Sequence, residues 1–339
     1  MKLPILLAGV AGLLSVAAFT PATDLTFHPK ESTTLTKNFG ITLDFILDDL
    51  VLTVNGEEID PARMGLDLDA ASGNVSANLS FTDEYVSMDG AKTKELKRTF
   101  SGMSAEFESG DGSSDSKTMD DIEGETIVFK LDEESGEYAM TDDEGEEVGE
   151  EMQIMSVDTD MTIFLPTGPV EEDATWTVEG KDLLGVFVPG INIDKAMAKV
   201  DEEAVNNDAP FTPSDFLSFM EELGSIECTY KGTKEVDGVT LQVISLVPTL
   251  ETTIDLTDTI AQIIEESPLG QEIDATASVT LEGSGSGELL WDTAAGHFRD
   301  YTLNLELSTL VDASGENQGM TGSAEVETTT TVSYHFTAE

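Results

Sequence analysis

Residues 324–336 read Ala324-Glu325-Val326-Glu327-Thr328-Thr329-Thr330-Thr331-Val332-Ser333-Tyr334-His335-Phe336. Ala324, Val326, Thr328, Thr330, Val332, Tyr334 and Phe336 share one parity, while Glu325, Glu327, Thr329, Thr331, Ser333 and His335 share the other. A period of two sends these sets to opposite faces of a β-strand, one buried and one wet. A single wet face is the mark of antiparallel pairing, because parallel sheets are covered on both sides. Just upstream, Tyr301, Leu303, Leu305 and Leu307 alternate with Thr302, Asn304, Glu306 and Ser308 in the same way. Similar runs occupy residues 75–81, 161–165, 175–178 and 275–281, so alternation predicts strands along most of the chain.

The predicted turns agree with this reading. Asn55-Gly56 and Asp237-Gly238 each separate two β-type runs, and such pairs suit a two-residue hairpin turn in which both central residues take positive φ. A longer corner occurs three times: Leu68-Asp69-Ala70-Ala71-Ser72-Gly73, Leu131-Asp132-Glu133-Glu134-Ser135-Gly136 and Trp291-Asp292-Thr293-Ala294-Ala295-Gly296. The Asp side chain can cap the turn and the Gly can take the left-handed position that closes it. Gly283-Ser284-Gly285-Ser286-Gly287 reads as a flexible strand connector, and residues 109–117 as a mobile polar loop.

Helical patterning gathers in the middle of the chain. Thr212-Pro213-Ser214-Asp215 supplies an N-cap, a first-turn proline and an early acid, and Gly224 closes the segment. Phe216, Leu217, Met220 and Leu223 fall on its apolar face. Two further helices are predicted over 182–200, broken at Pro189-Gly190, and over 257–266. The expected fold class is therefore mainly β with a few helices (α+β). It would comprise two antiparallel, curved-sheet lobes joined by a helical segment. The boundaries read as a signal peptide at 1–22, an acidic β-rich lobe at 23–180, a helical connector at 181–225, and a β-rich lobe with one inserted helix at 226–339.

One basic residue, Lys2, precedes an apolar run and then small residues, the layout of an export signal that could be cut after Ala18 or Ala22. The run falls short of the roughly 20 apolar residues of a membrane span, and no other segment is long and apolar enough. A periplasmic or extracellular protein of a bacterial-type envelope is expected. The absence of Cys near the cleavage region argues against a lipid-modified bacterial N-terminus. Cys228 is the one cysteine, so no intramolecular disulfide can form. It alternates with Ile226 and Tyr230 and reads as a small buried hydrophobe.

Sixty-eight acidic residues against 16 basic ones give a formal net charge of −52. Phosphate neutralisation by a basic surface is out of reach, which excludes nucleic acid as a partner and disfavours anionic lipid headgroups. Residues 101–150 alone carry 18 Asp and Glu against two Lys. The densest part holds Asp142, Asp143, Glu144, Glu146 and Glu147. Three readings compete: a solvated face suited to a saline medium, a divalent-cation site, Ca²⁺ being the ion that carboxylates suit, and a surface for a basic protein partner, for which nothing specific speaks. The twelve-residue calcium-loop pattern is missing, because Gly145 falls at the wrong place. Otherwise no cofactor is indicated. Lys92, Lys94, Lys97 and Arg98 are expected to relieve repulsion on a strand with acidic neighbours.

Enzyme chemistry finds little footing. His28, His297 and His335 share no metal-ligand spacing, and the nucleophile-elbow, phosphate-loop and dinucleotide motifs are absent. An outer-membrane barrel would need aromatic girdles, whereas aromatic residues make up 6% of the chain.

The segment from Leu165-Pro166-Thr167-Gly168-Pro169 to Trp176-Thr177-Val178, followed later by Gly287-Glu288-Leu289-Leu290-Trp291-Asp292, resembles a family of uncharacterised exported β-rich bacterial proteins. That resemblance implies no activity. The pattern of strands plus helices is also similar to the periplasmic lipoprotein-carrier architecture, an unclosed barrel lidded by helices. That similarity is architectural and carries over no residue roles; a curved antiparallel sheet closed on one side by helices makes an apolar cleft suited to a hydrophobic small molecule or lipid, with Phe216, Leu217, Met220 and Leu223 as its expected lining. The leading reading is thus an exported, non-catalytic binding or envelope protein. An extracellular hydrolase with a carboxylate or divalent-cation site and an acidic calcium-binding surface protein are the alternatives.

Overall fold

A computed structural model describes residues 22–64, 71–119, 122–149, 152–180, 183, 189–192, 195, 224–257, 260, 274–317 and 319–339. Thirteen strands appear among them: β1 (Thr33–Val54), β2 (Glu57–Ile59), β3 (Gly73–Asp89), β4 (Lys92–Ser109), β5 (Ser114–Thr118), β6 (Thr126–Leu131), β7 (Tyr138–Thr141), β8 (Thr175–Glu179), β9 (Gly224–Val236), β10 (Val239–Asp255), β11 (Asp274–Asp292), β12 (His297–Asn317) and β13 (Met320–Ala338). All belong to one antiparallel sheet ordered β7-β6-β4-β3-β1-β13-β12-β11-β10-β9-β8, with β2 paired to β1 and β5 to β4. No described helix is long and apolar enough to cross a membrane.

This topology corrects the two-lobe expectation. β1, from the predicted first lobe, pairs with β13, from the second, from Lys37↔Ala338 to Val54↔Gly322. The two β-rich stretches are therefore halves of one sheet joined along its middle. The helices predicted over 182–200, 212–224 and 257–266 fall almost entirely outside the described residues, and with them Phe216, Leu217, Met220 and Leu223.

The two hairpin turns and two of the three Asp corners form as their chemistry requires, whereas Gly73 of the first corner opens β3 without a positive φ. Asn55 and Gly56 have φ of 52° and 77°, and Asp237 and Gly238 of 50° and 81°. Asp132 Oδ1 accepts the amides of Glu134 and Ser135, and Asp292 Oδ1 those of Ala294 and Ala295. Gly136 and Gly296 close these corners at positive φ.

Three local expectations fail. Residues 114–118 pair with β4 as strand β5, so the predicted 109–117 loop is partly strand. Residues 161–165 do not form a strand: Met161 is left-handed at φ 54°, and a 3₁₀ turn follows over Thr162–Phe164. The glycine run at 283–287 lies inside β11 and is no connector. Gly283, Gly285 and Gly287 face Leu307, Leu305 and Leu303 across the β11–β12 ladder. A Cβ on each would meet the facing leucine's methyl and the carbonyl oxygen of Glu306, Asn304 or Thr302. Each leucine thus lies over a glycine, and β11 approaches β12 more closely than side chains allow.

The sheet has two zones. At one end its inner face is fully buried, with Leu35 and Phe39 on β1, Tyr301, Leu303 and Leu305 on β12, and Tyr334 and Phe336 on β13. Residues from both ends of the strand path join this single core, including Phe129 on β6 and Val178 on β8, so the sheet curls around it. The segment 152–165 runs through the fold, with Phe164 buried and stacked on Tyr301 at 5.5 Å. Trp291 Nε1 and Tyr301 Oη have no hydrogen-bond partner among the described residues, and both rings serve as apolar bulk. Towards the other end, the inner positions of β1 (Ile41, Leu43, Phe45, Leu47, Leu50 and Leu52) are half-buried. A bulge between Leu47 and Asp49 keeps that face apolar across Asp48-Asp49, since without it Leu50 and Leu52 would turn outward.

Candidate functional site

Inside the buried zone lies a group of charges. On β1 the inward parity reads Leu35, Lys37, Phe39; on β3, Phe81, Asp83, Tyr85; on β4, Leu96, Arg98, Phe100. In each strand one ionic residue stands between apolar neighbours on the face that packs. Lys37 and Asp83 are 0% exposed and Arg98 1%. The register sets Asp83 directly opposite Arg98, and Lys37 opposite Phe81, one pair away.

The geometry is closed. Arg98 Nε and Nη2 donate to the two Asp83 carboxylate oxygens at 2.7 and 2.9 Å, the bidentate fork that carboxylates match best. Lys37 Nζ lies 3.0 Å from Asp83 Oδ2, 2.8 Å from Tyr85 Oη, 2.7 Å from Thr159 Oγ1 and 2.7 Å from Asp160 Oδ1. Tyr85 donates its hydroxyl to Asp160 at 2.6 Å. The Arg98 guanidinium lies 4.3 Å from the Phe81 ring centroid. Two cations thus face two carboxylates.

Burial by itself would raise the Asp83 carboxyl, but the Arg98 and Lys37 charges outweigh it and hold the group below the ordinary aspartate value. Burial, with the Asp160 and Asp83 charges, pushes the Tyr85 phenol well above its ordinary value, so it stays a donor. Both Asp83 oxygens, the Tyr85 hydroxyl, Thr159 Oγ1, Asp160 Oδ1 and the Lys37 and Arg98 nitrogens are engaged within the cluster or with the backbone beside it.

What it does is fasten a segment. Arg98 Nη1 donates to the Ser156 carbonyl at 2.8 Å and Nη2 to the Val157 carbonyl at 3.3 Å, while Thr159 and Asp160 contribute side chains. Gly190, at φ 80°, closes the far side, where a Cβ would be 3.0 Å from Thr159 Cγ2. Residues 156–160 form no strand, so their position depends on these bonds. Arg98 thus meets the expectation for the basic run, a cation beside an acidic neighbour on a strand, but does so fully buried against Asp83. Lys94 meets it at the surface, pairing with Glu133 at 2.8 Å. The signal for Lys37, Asp83 and Arg98 was present as a charge on the apolar parity, whereas Thr159 and Asp160 lie in irregular backbone and leave no pattern.

The acidic run is placed in a turn. Asp142 Oδ1 accepts the amides of Glu144 and Glu146, and Gly145 closes the turn at φ 87°, the same device as at Asp132 and Asp292. Asp143, Glu144, Glu146 and Glu147 are side chains of that turn and its exit. Among the described residues no group of three or more His, Cys, Asp or Glu is placed to hold a metal ion. Accordingly, the melting temperature should rise with NaCl as repulsion is screened over about 8 Å or less. If Asp142, Asp143, Glu144, Glu146 and Glu147 hold a divalent cation, CaCl₂ at matched ionic strength should raise it further than NaCl, and equal shifts would leave the run a solvated face.

Cys228 is buried, and burial pushes its thiol up to about 12, which fits the sequence reading of an inert apolar filler. Trp176 donates its indole N–H to the Phe164 carbonyl at 3.1 Å and anchors β8 to the central segment. No family model matches this chain, and a search of curated proteins finds no match.

Proposed function

We propose that the chain is an exported, non-catalytic binding or envelope protein that holds a hydrophobic small molecule or lipid on the apolar inner face of its sheet. The supporting observation is the burial gradient along β1. Leu35, Lys37 and Phe39 are fully buried, and Ile41, Leu43, Phe45, Leu47, Leu50 and Leu52 continue the same apolar face while only half-buried. β12 and β13 repeat this gradient: Leu305 and Val332 are buried, whereas Val311 and Val326 are half-buried. Apolar surface of this extent is stabilised by covering it, at about 25 cal/mol per Å² removed from water.

Other features support the same reading. The ionic groups of the core are spent on each other, which leaves the buried zone as scaffold. Leu25 is the first fully buried residue described, and it lies beyond both expected cleavage points, Ala18 and Ala22.

Native mass spectrometry of the protein purified without detergent from its own envelope should show a discrete small-molecule adduct. A fluorescent lipophilic probe, 1-N-phenylnaphthylamine, should bind the delipidated chain and lose at least about tenfold in affinity with Phe45→Asp or Leu47→Asp, since a charge on this face carries a desolvation cost. A bare mass together with no probe uptake would overturn the proposal.

A further inference from the structure

On the outer face of the sheet, opposite the core, a shallow hollow of about 420 Å³ lies across β3, β1 and β13. Its floor is Gly40, paired with Asn78 on one side and His335 on the other. The pairs on either side of it are Asn38 between Ser80 and Thr337, and Thr42 between Ser76 and Ser333. None of these residues is acidic, lysine or arginine, in a chain of net charge −52. Carboxylates resume at the rim, where Asp300 Oδ2 meets His335 Nε2 at 3.2 Å and Asp44 lies one pair beyond Thr42.

Nothing among the described residues requires Gly40 to be glycine. Its φ is not positive, and a Cβ would meet only Asn78 Oδ1 at 3.4 Å and the His335 carbonyl at 3.5 Å, ordinary contact distances. In a strand interior glycine is destabilising relative to alanine, and it often marks a close approach by a ligand or another backbone. The glycines of β11 answer to the backbone and leucines of β12; Gly40 answers to nothing among the described residues.

The surrounding side chains are preset for hydroxyl groups. Ser80 donates to Asn38 Oδ1 at 2.8 Å and Asn38 Nδ2 points to Thr337 Oγ1 at 3.5 Å, which fixes that amide. Asn78, Thr42 and Ser76 make no side-chain hydrogen bond to another described residue, leaving an amide and two hydroxyls that can both donate and accept. Neutral groups that donate and accept, on strands about 4.8 Å apart, match vicinal hydroxyls and repel neither partner. From the hollow at Gly40, its uncharged lining and the unneeded glycine, we infer that this face binds a neutral oligosaccharide. The site is independent of the inner face and lies on the other side of the sheet.

The test is amide NMR of the full mature chain with cellohexaose, chitohexaose, maltohexaose or anionic hexagalacturonate at about 1 mM, where a site of that Kd is half filled. Shifts should centre on Gly40, Asn78 and His335 with at least one neutral sugar and should hardly change with salt. Gly40→Thr fills the floor with a residue that strands favour. It should keep or raise the melting temperature while weakening binding at least tenfold, and Asn78→Ala should weaken it several-fold. No shifts with any neutral sugar, tighter binding of hexagalacturonate, or undiminished binding by Gly40→Thr would each overturn the inference.

Discussion

Asp83→Leu should destabilise the folded chain by about 3–5 kcal/mol, because removing one partner of a buried ion cluster leaves the others charged and unpaired. Arg98 would lose its bidentate acceptor and Lys37 one of its two carboxylates, both with essentially no access to water. Urea unfolding would read the loss as a lower midpoint at unchanged slope. A loss below about 1 kcal/mol, the scale of a surface pair, would mean that the cluster is not rigidly buried. Joint replacement by Lys37→Met, Asp83→Leu, Arg98→Met and Asp160→Leu should recover part of the deficit, since apolar groups of similar volume can replace buried ions. Recovery should be incomplete because the Ser156 and Val157 carbonyls lose their donor.

The same carboxylate makes a pH-dependent contribution. Its folded pKa is depressed by Arg98 and Lys37. The stability it supplies is therefore fully present above the unfolded value near 3.9 and is lost as pH falls through the lower folded value. The advantage of the parent chain over Asp83→Asn should be constant near neutrality and shrink only below about pH 4. Asp158 opposes this: loss of solvent around its carboxyl and the Asp160 charge push it up.

Gly285→Val should be nearly as damaging, with a loss of about 3 kcal/mol or more, at the upper end of overpacking effects. A Cβ there falls inside the contact radius of the Asn304 carbonyl oxygen, which is backbone and cannot swing aside, and also presses on Leu305 Cδ2 at 3.0 Å. Circular dichroism and urea unfolding should show the loss, whereas Ser284→Val, on the wet face of the same strand, should be tolerated. Equal tolerance of both would mean that the β11–β12 approach is not a fixed feature of the fold.

These two sites also mark where sequence reading and structure part company. Alternation, Asn-Gly and Asp-Gly turns, and the Asp-capped corners are local: each depends on parity or on the φ preference of a few residues, so most strands and turns are legible along the chain, 114–118, 161–165 and 283–287 being the exceptions. The same rule placed Cys228 inside. At Lys37, Asp83 and Arg98 the parity was equally readable, but a charge on an apolar face has a meaning only once its partners are known, and those come from three strands and a segment some 60–120 positions away in the chain. The glycines of β11 were misread for the same reason. Glycine weakens a strand in isolation, and the leucines that cover it belong to the next strand.

The amino-acid sequence by itself determined the class, the wet and dry faces, the turn chemistry and the acidic character, because these follow from neighbours within a few residues. Only the tertiary structure decided that the two β-rich stretches form one sheet, that the Arg98 side chain is buried while Lys94 is not, and that Asp142 is engaged as a turn cap. Strand pairing between residues almost 300 positions apart, as in β1 with β13, is set by which apolar faces can be buried together. That is a property of the whole chain, and no local window contains it.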